Sequence, residues 1–166
     1  MTLRPALLAL CAVALAATGC RAVRERRTAR VADRIAAGDT AVYLTPFGAP
    51  TRPFSPAVRV GNLIYLSGQI GLDNPAANGS TLVPGGIEAE TRQTLENIKA
   101  TLAAVGSSMD RVIKCTVMMA DMKEWDRMNA IYRTYFAPGR LPARSALGAN
   151  GLALGARVEI ECIATA

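Results

Sequence analysis

The chain has 166 residues, 51% of them hydrophobic and 5% aromatic, with a formal net charge of +6 and no histidine. That is enough apolar side chain for one domain with a proper core. The lack of histidine excludes a Ser–His–Asp triad, a Cys–His dyad and a histidine-held zinc site, so acid–base chemistry falls to Glu, Asp, Lys, Tyr, Cys or bound water, and no metal is expected.

The positive charge is uneven. Residues 21–40 carry six arginines against three acids, whereas residues 41–166 carry twelve basic and ten acidic side chains. A near-neutral body behind a basic segment suits a membrane surface, or a plain solvated linker, better than a nucleic-acid groove. No nucleic-acid partner is expected.

Met1 to Cys20 reads MTLRPALLALCAVALAATGC. One early cation, Arg4, precedes an apolar run from Ala6 to Ala17 that is too short to span a bilayer but fits a signal-peptide core. Its end, Ala17-Thr18-Gly19-Cys20, resembles a bacterial lipobox, in which small residues precede a lipid-modified cysteine. The expectation is a signal peptide over 1–20, with Cys20 acylated and anchoring a lipoprotein in the cell envelope or periplasm. An ordinary secretory signal or an uncleaved anchor is the alternative. Residues 21–40 form a basic linker, read either as a short amphipathic helix with Val23, Val31 and Ile35 on one face or as a flexible tether. Of the other cysteines, Cys11 leaves with the leader. Cys115 and Cys162 sit in apolar strand contexts, where cysteines usually serve as small hydrophobes. An exported location permits a disulfide between them without establishing that they are close.

The globular domain is expected over 41–166. Ala41 to Pro46 reads as a short strand, and Pro50, Pro53 and Pro56 make the following stretch a rigid loop. Ala57 to Val60 and Leu63 to Ser67 read as a hairpin turning at Gly61-Asn62. The glycines of Ser67-Gly68-Gln69-Ile70-Gly71 let the backbone approach a ligand or a neighbouring strand. Leu72 to Gly86 is a polar loop. Ile87 to Val105 is the clearest helix, with Ile87, Thr91, Leu95, Ile98, Leu102 and Val105 on one stripe. Glu88 and Glu90 lie in its first turn, where the dipole favours negative charge, and Gly106 ends it.

Arg111 to Ala120 reads as a buried strand. Asp121 is expected to cap a second helix, with Glu124 as its capping-box partner. The apolar face of that helix is Trp125, Met128, Ile131, Tyr132, Tyr135 and Phe136, read as core packing. Asn129 lies near this face and needs a partner, backbone or ligand. A Pro/Gly loop then delivers the chain to Arg144 and a short apolar strand. The last strand, Ala156 to Ala164, points Val158, Ile160 and Cys162 to one face and Glu159, Glu161 and Ile163 to the other. This order gives an α+β domain with two helices packed on one face of a mixed sheet. There is no internal repeat, phosphate loop or dinucleotide fingerprint, and no cofactor is expected.

Two readings compete for the C-terminal charges. In one, Arg144, Glu159 and Glu161 are a surface or sheet-edge cluster that discourages strand pairing. In the other, Arg144 grips a substrate carboxylate in a bidentate fork while Glu159 handles a proton.

Several stretches together resemble the RidA family (reactive intermediate deaminase, also called the L-PSP endoribonuclease family). They are VGNLIYLSGQIG (60–71), ETRQTLENIKATLAAVG (90–106), VIKCTVMMAD (112–121), MNAIYRTYF (128–136), LPARSALG (141–148) and VEIECIA (158–164). The resemblance implies a chorismate-mutase-like fold and a homotrimer. It also implies clefts between subunits that hydrolyse 2-imino or enamino acids to 2-keto acids and ammonia. By position, Arg144 matches the arginine that binds the substrate carboxylate and Glu159 the acid that activates water. Asn129 matches a pocket asparagine, Gly68 lies in the stretch lining the cleft, and Ala146 stands where backbone contacts are made. Phe54 occupies the position of a tyrosine in the best-known deaminases. The implied partner is a small carboxylate-bearing substrate. The alternatives are a non-enzymatic anion-binding trimer and an endoribonuclease.

Overall fold

Alternation of buried and exposed side chains builds one six-stranded sheet. Its strands are β1 (Val42–Leu44), β2 (Ala57–Val60), β3 (Leu63–Leu66), β4 (Val112–Met119), β5 (Ala143–Gly148) and β6 (Val158–Thr165), in the order β1-β2-β3-β6-β4-β5. Every neighbouring pair is antiparallel except β4 and β5, which run parallel. In this computed structural model the described residues are Asp33, 40–48, 52–73 and 81–166. The chain divides after Asp39, and the domain described here is the second unit, Thr40–Ala166. The expected signal peptide with Cys20, and nearly all of the expected linker, lie outside the described residues.

Two helices, α1 (Gly86–Ala104) and α2 (Trp125–Tyr132), pack on the same side of the sheet. Val158, Ile160, Cys162 and Ala164 of β6, with Cys115, Val117 and Met119 of β4, point under them and are buried. Ile87, Leu95, Ile98 and Leu102 of α1 and Met128 of α2 close the layer from above. Each buried Val, Ile, Leu or Met among them contributes about 1.5–3 kcal/mol by leaving water. Buried Asn97 of α1 donates to the carbonyls of Ile70 and Leu72, at 3.0 and 3.1 Å, and so fixes the chain as it leaves β3.

The second helix departs from its sequence reading at both ends. Asp121 does cap, accepting from the Lys123 N–H at 2.9 Å, but it caps a 3₁₀ turn, Met122–Glu124. Glu124 does not reach back to complete a capping box. Its carboxylate turns inward to Arg157, at 2.5 Å, and to Arg127. A buried carboxylate is worth more to a guanidinium than to one exposed N–H. The helix stops at Tyr132, so Ile131 and Tyr135 are only half-buried, and the Tyr135 hydroxyl donates to Glu96.

Cys115 and Cys162 stand directly opposite each other on β4 and β6 and are joined by a disulfide. Both are buried under the helices, at 0% and 2% exposure. On the other side the sheet is bare. Tyr43, Val60, Tyr65 and Leu147 are exposed there, beside half-buried Val58, Met118 and Ile163. Apolar side chains crowded on one open face mark an interaction surface.

Candidate active site

Arg144 stands on β5, the edge strand, opposite Cys115 in the parallel pairing with β4. Its side chain therefore rises on the helix side, toward α2. There Nη1 donates to Asn129 Oδ1 at 2.8 Å, and the guanidinium carbon lies 4.8 Å from the centroid of Trp125 and 4.7 Å from that of Tyr132. Trp125, Asn129 and Tyr132 are four and three residues apart, which puts them on one helical stripe. Asn129, the polar residue that needed a partner, finds it in this cation. No carboxylate among the described residues forms an ion pair with Arg144, so a fork of N–H donors remains for an external anion. Ala146, two residues on, faces the same side of the sheet.

Burial pushes the Tyr132 phenol up to about 12, although the neighbouring Arg144 works in the opposite direction. The ring thus stays neutral and does not compete for the cation's charge. Its hydroxyl is buried without a hydrogen-bond partner.

Glu159 lies on β6 opposite Met118, on the open face of the sheet. The strand beside it is irregular. Tyr65 pairs with Ile163 and Gln69 with Ile160, so four steps on one strand meet three on the other, a bulge at Leu66 to Gly68. Bulges re-aim backbone beside sites. A Cβ on Gly68 would collide with Oε1 and Cδ of Glu159, so the glycine is what lets this carboxylate lie over the backbone. Burial, and then repulsion from Glu161, raise the Glu159 carboxyl above the ordinary range. An acid so placed exchanges its proton nearer neutrality. Ser67 Oγ donates to the carbonyl of Ser55 at 2.7 Å, which ties the loop carrying exposed Phe54 to this bulge.

Within one chain, then, the guanidinium and the acid sit on opposite faces of the sheet. That removes the reading of Arg144, Glu159 and Glu161 as one charge cluster. It also means that a single protomer cannot close both groups on one small substrate. The structure assembles two half-sites, Arg144 with Asn129 and Ala146, and Glu159 with Gly68. Tyr132 is buried in the core as read from the sequence, but sequence reasoning did not foresee that its ring and that of Trp125 also flank the Arg144 guanidinium, nor that Ser67 ties down the loop carrying Phe54. The available signal was a polar residue between two aromatics seven apart.

Comparison with known proteins places this arrangement. The family model described as Endoribonuclease L-PSP matches residues 46–166. The chain is 47% identical over 123 residues to a mouse 2-iminobutanoate/2-iminopropanoate deaminase, covering 74% of this chain and 88% of that one. It is 41% identical over 112 residues to the human protein of the same name, covering 68% and 79%. Among solved structures, a yeast protein superposes with a TM-score of 0.68 at 35% identity over 76% of this chain and 98% of that one. RidA from an Antarctic Psychrobacter gives 0.65 at 34% identity over 75% and 98%. A mixed sheet with two helices on one face, matched along nearly the whole length of these proteins, leaves one assignment: the chain belongs to the RidA, or L-PSP, family.

Proposed function

We propose that the protein is a hydrolase that converts small 2-imino acids to 2-keto acids and ammonia. It works as a homotrimer whose sites each take Arg144 from one protomer and Glu159 from the next. The observation that carries this reading is the placement of an oriented guanidinium and a half-buried carboxylate on opposite faces of one sheet. A heterologous contact that closes into a ring brings the open face of one protomer to the β5 edge of its neighbour. It also covers the apolar side chains of that open face.

In such a site the substrate carboxylate lies on the Arg144 fork, which fixes the imine carbon relative to Glu159. A protonated imine carbon is already electrophilic, so little further activation is needed. Glu159 takes a proton from water as the water oxygen bonds to that carbon. It returns that proton to nitrogen, and as the C–N bond breaks and ammonia departs the carboxylate takes up the hydroxyl proton, leaving the keto group, and then passes it to the ammonia as ammonium.

The test is complementation between two inactive variants. Arg144→Ala and Glu159→Gln are each expected to lose turnover of 2-iminopropanoate generated in situ. Co-expressed in equal amounts, they form mixed trimers holding one intact site, and about a quarter of wild-type activity returns. If both residues act within one chain, the mixture stays dead. A second reading, anion binding without turnover, draws on Phe54, which lacks the hydroxyl of the corresponding tyrosine. Wild-type protein that binds pyruvate but never releases ammonia would establish it. The near-neutral domain speaks against RNA as the substrate.

The proposed location is the cell envelope, with Cys20 acylated. Support comes from the leader pattern and from a buried disulfide that suits an oxidising compartment. Cys20→Ala should move the protein from the membrane fraction to the soluble fraction.

A further inference from the structure

We infer that Trp125 and Tyr132 are positioning residues for the carboxylate site, clamping the Arg144 guanidinium between two rings so that its free edge meets a planar anion in one orientation. This rests on the carboxylate-binding role proposed for Arg144. Residues 125 and 132 are seven apart on α2, a rise of about 10.5 Å. The guanidinium carbon is 4.8 Å from one ring centroid and 4.7 Å from the other. The guanidinium is therefore within cation–π reach of both rings at once, and the two rings come from one stripe of one helix. Asn129, midway along the stripe, takes one N–H.

A single hydrogen bond leaves a guanidinium free to turn about it; two rings do not. Rings also shed water from the faces of the cation, where a guanidinium is weakly hydrated, and leave the donors of its edge for a ligand. Trp125 is half-buried, so its ring is partly open to solvent beside the cation. Tyr132 packs against Phe136 in a tilted arrangement, at 4.9 Å between centroids, so its ring is itself held from behind.

The chain has one tryptophan, and it is the clamp. Its fluorescence therefore reports directly on the site, independently of turnover. Titrating full-length wild-type protein with pyruvate, the keto-acid product, should change Trp125 emission, and Arg144→Ala should abolish the response.

For turnover of 2-iminopropanoate, Trp125→Leu should raise KM roughly ten-fold with kcat within about two-fold, since it removes binding shared by ground and transition states. Trp125→Phe should recover most of that loss, and Tyr132→Leu should behave like Trp125→Leu. A merely structural role would lower the active fraction and so kcat, leaving KM in place. An unchanged KM in folded Trp125→Leu, with Arg144→Ala inactive, overturns the clamp and spares the proposed function. Should Trp125→Leu fail to fold, an unchanged KM in folded Tyr132→Leu overturns the clamp equally. Wild type with neither turnover nor a pyruvate response overturns both.

Discussion

The two half-sites are built in opposite ways. Around Arg144 the protein adds contacts: two rings, an amide and a helix to carry all three. Around Glu159 it removes them. No side chain among the described residues pairs with that carboxylate, and a glycine gives it room. The difference fits the roles proposed above for the two groups. A cation that orients a substrate needs a fixed plane, whereas an acid that exchanges a proton needs poor solvation and no competing donor.

The largest effect should come from the crowded half. Arg144→Ala is expected to lower kcat/KM roughly 10²–10³-fold. Arg144→Lys should recover little of it, because an ammonium keeps the charge without the fork or the flat faces. The disulfide comes next, since it joins β4, which aligns Arg144 through β5, to β6, which carries Glu159. Closing a loop with a sequence separation of 47 stabilises by about 2–4 kcal/mol. Urea melts of the Cys115→Ala/Cys162→Ala double variant should show that loss.

Gly68→Ala sharpens the contrast from the sparse side. The new methyl meets the movable end of Glu159 rather than backbone. Activity should fall roughly 10–100-fold, while the melting midpoint changes little.

The smallest effect is Glu159→Gln on stability. Because the folded carboxyl holds its proton to higher pH than the unfolded one, ionisation opposes folding. Stability therefore falls as pH rises through the range between the two values, and is lowest above it. Glu159→Gln should flatten that part of the stability–pH curve and gain less than about 1 kcal/mol at neutral pH, given solvent screening. Chemical denaturation across pH 4 to 8 would check the sign.

Much of the fold could be read from the residues because it rests on local pattern. The hairpin at Gly61-Asn62, the stripe from Ile87 to Leu102 and the alternation along β6 each declare themselves within a dozen positions. The faces of the site did not. Which side Arg144 takes depends on the register of β5 against β4, and a shift of one residue would reverse it. The partner of Glu124 was equally hidden, since Arg157 is 33 residues away and spacing alone favours the nearby backbone. Trp125 and Tyr132 make the same periodic stripe whether they face a core or a cation. The Cys115–Cys162 pairing required knowing that β6, not β5, lies between β3 and β4.

That last placement has a mechanical consequence. Without residues 158–165 the β1–β2–β3 meander and the β4–β5 pair share no edge. One strand therefore ties the two halves of the sheet together, and its register aligns the acid, the bulge and the disulfide at once.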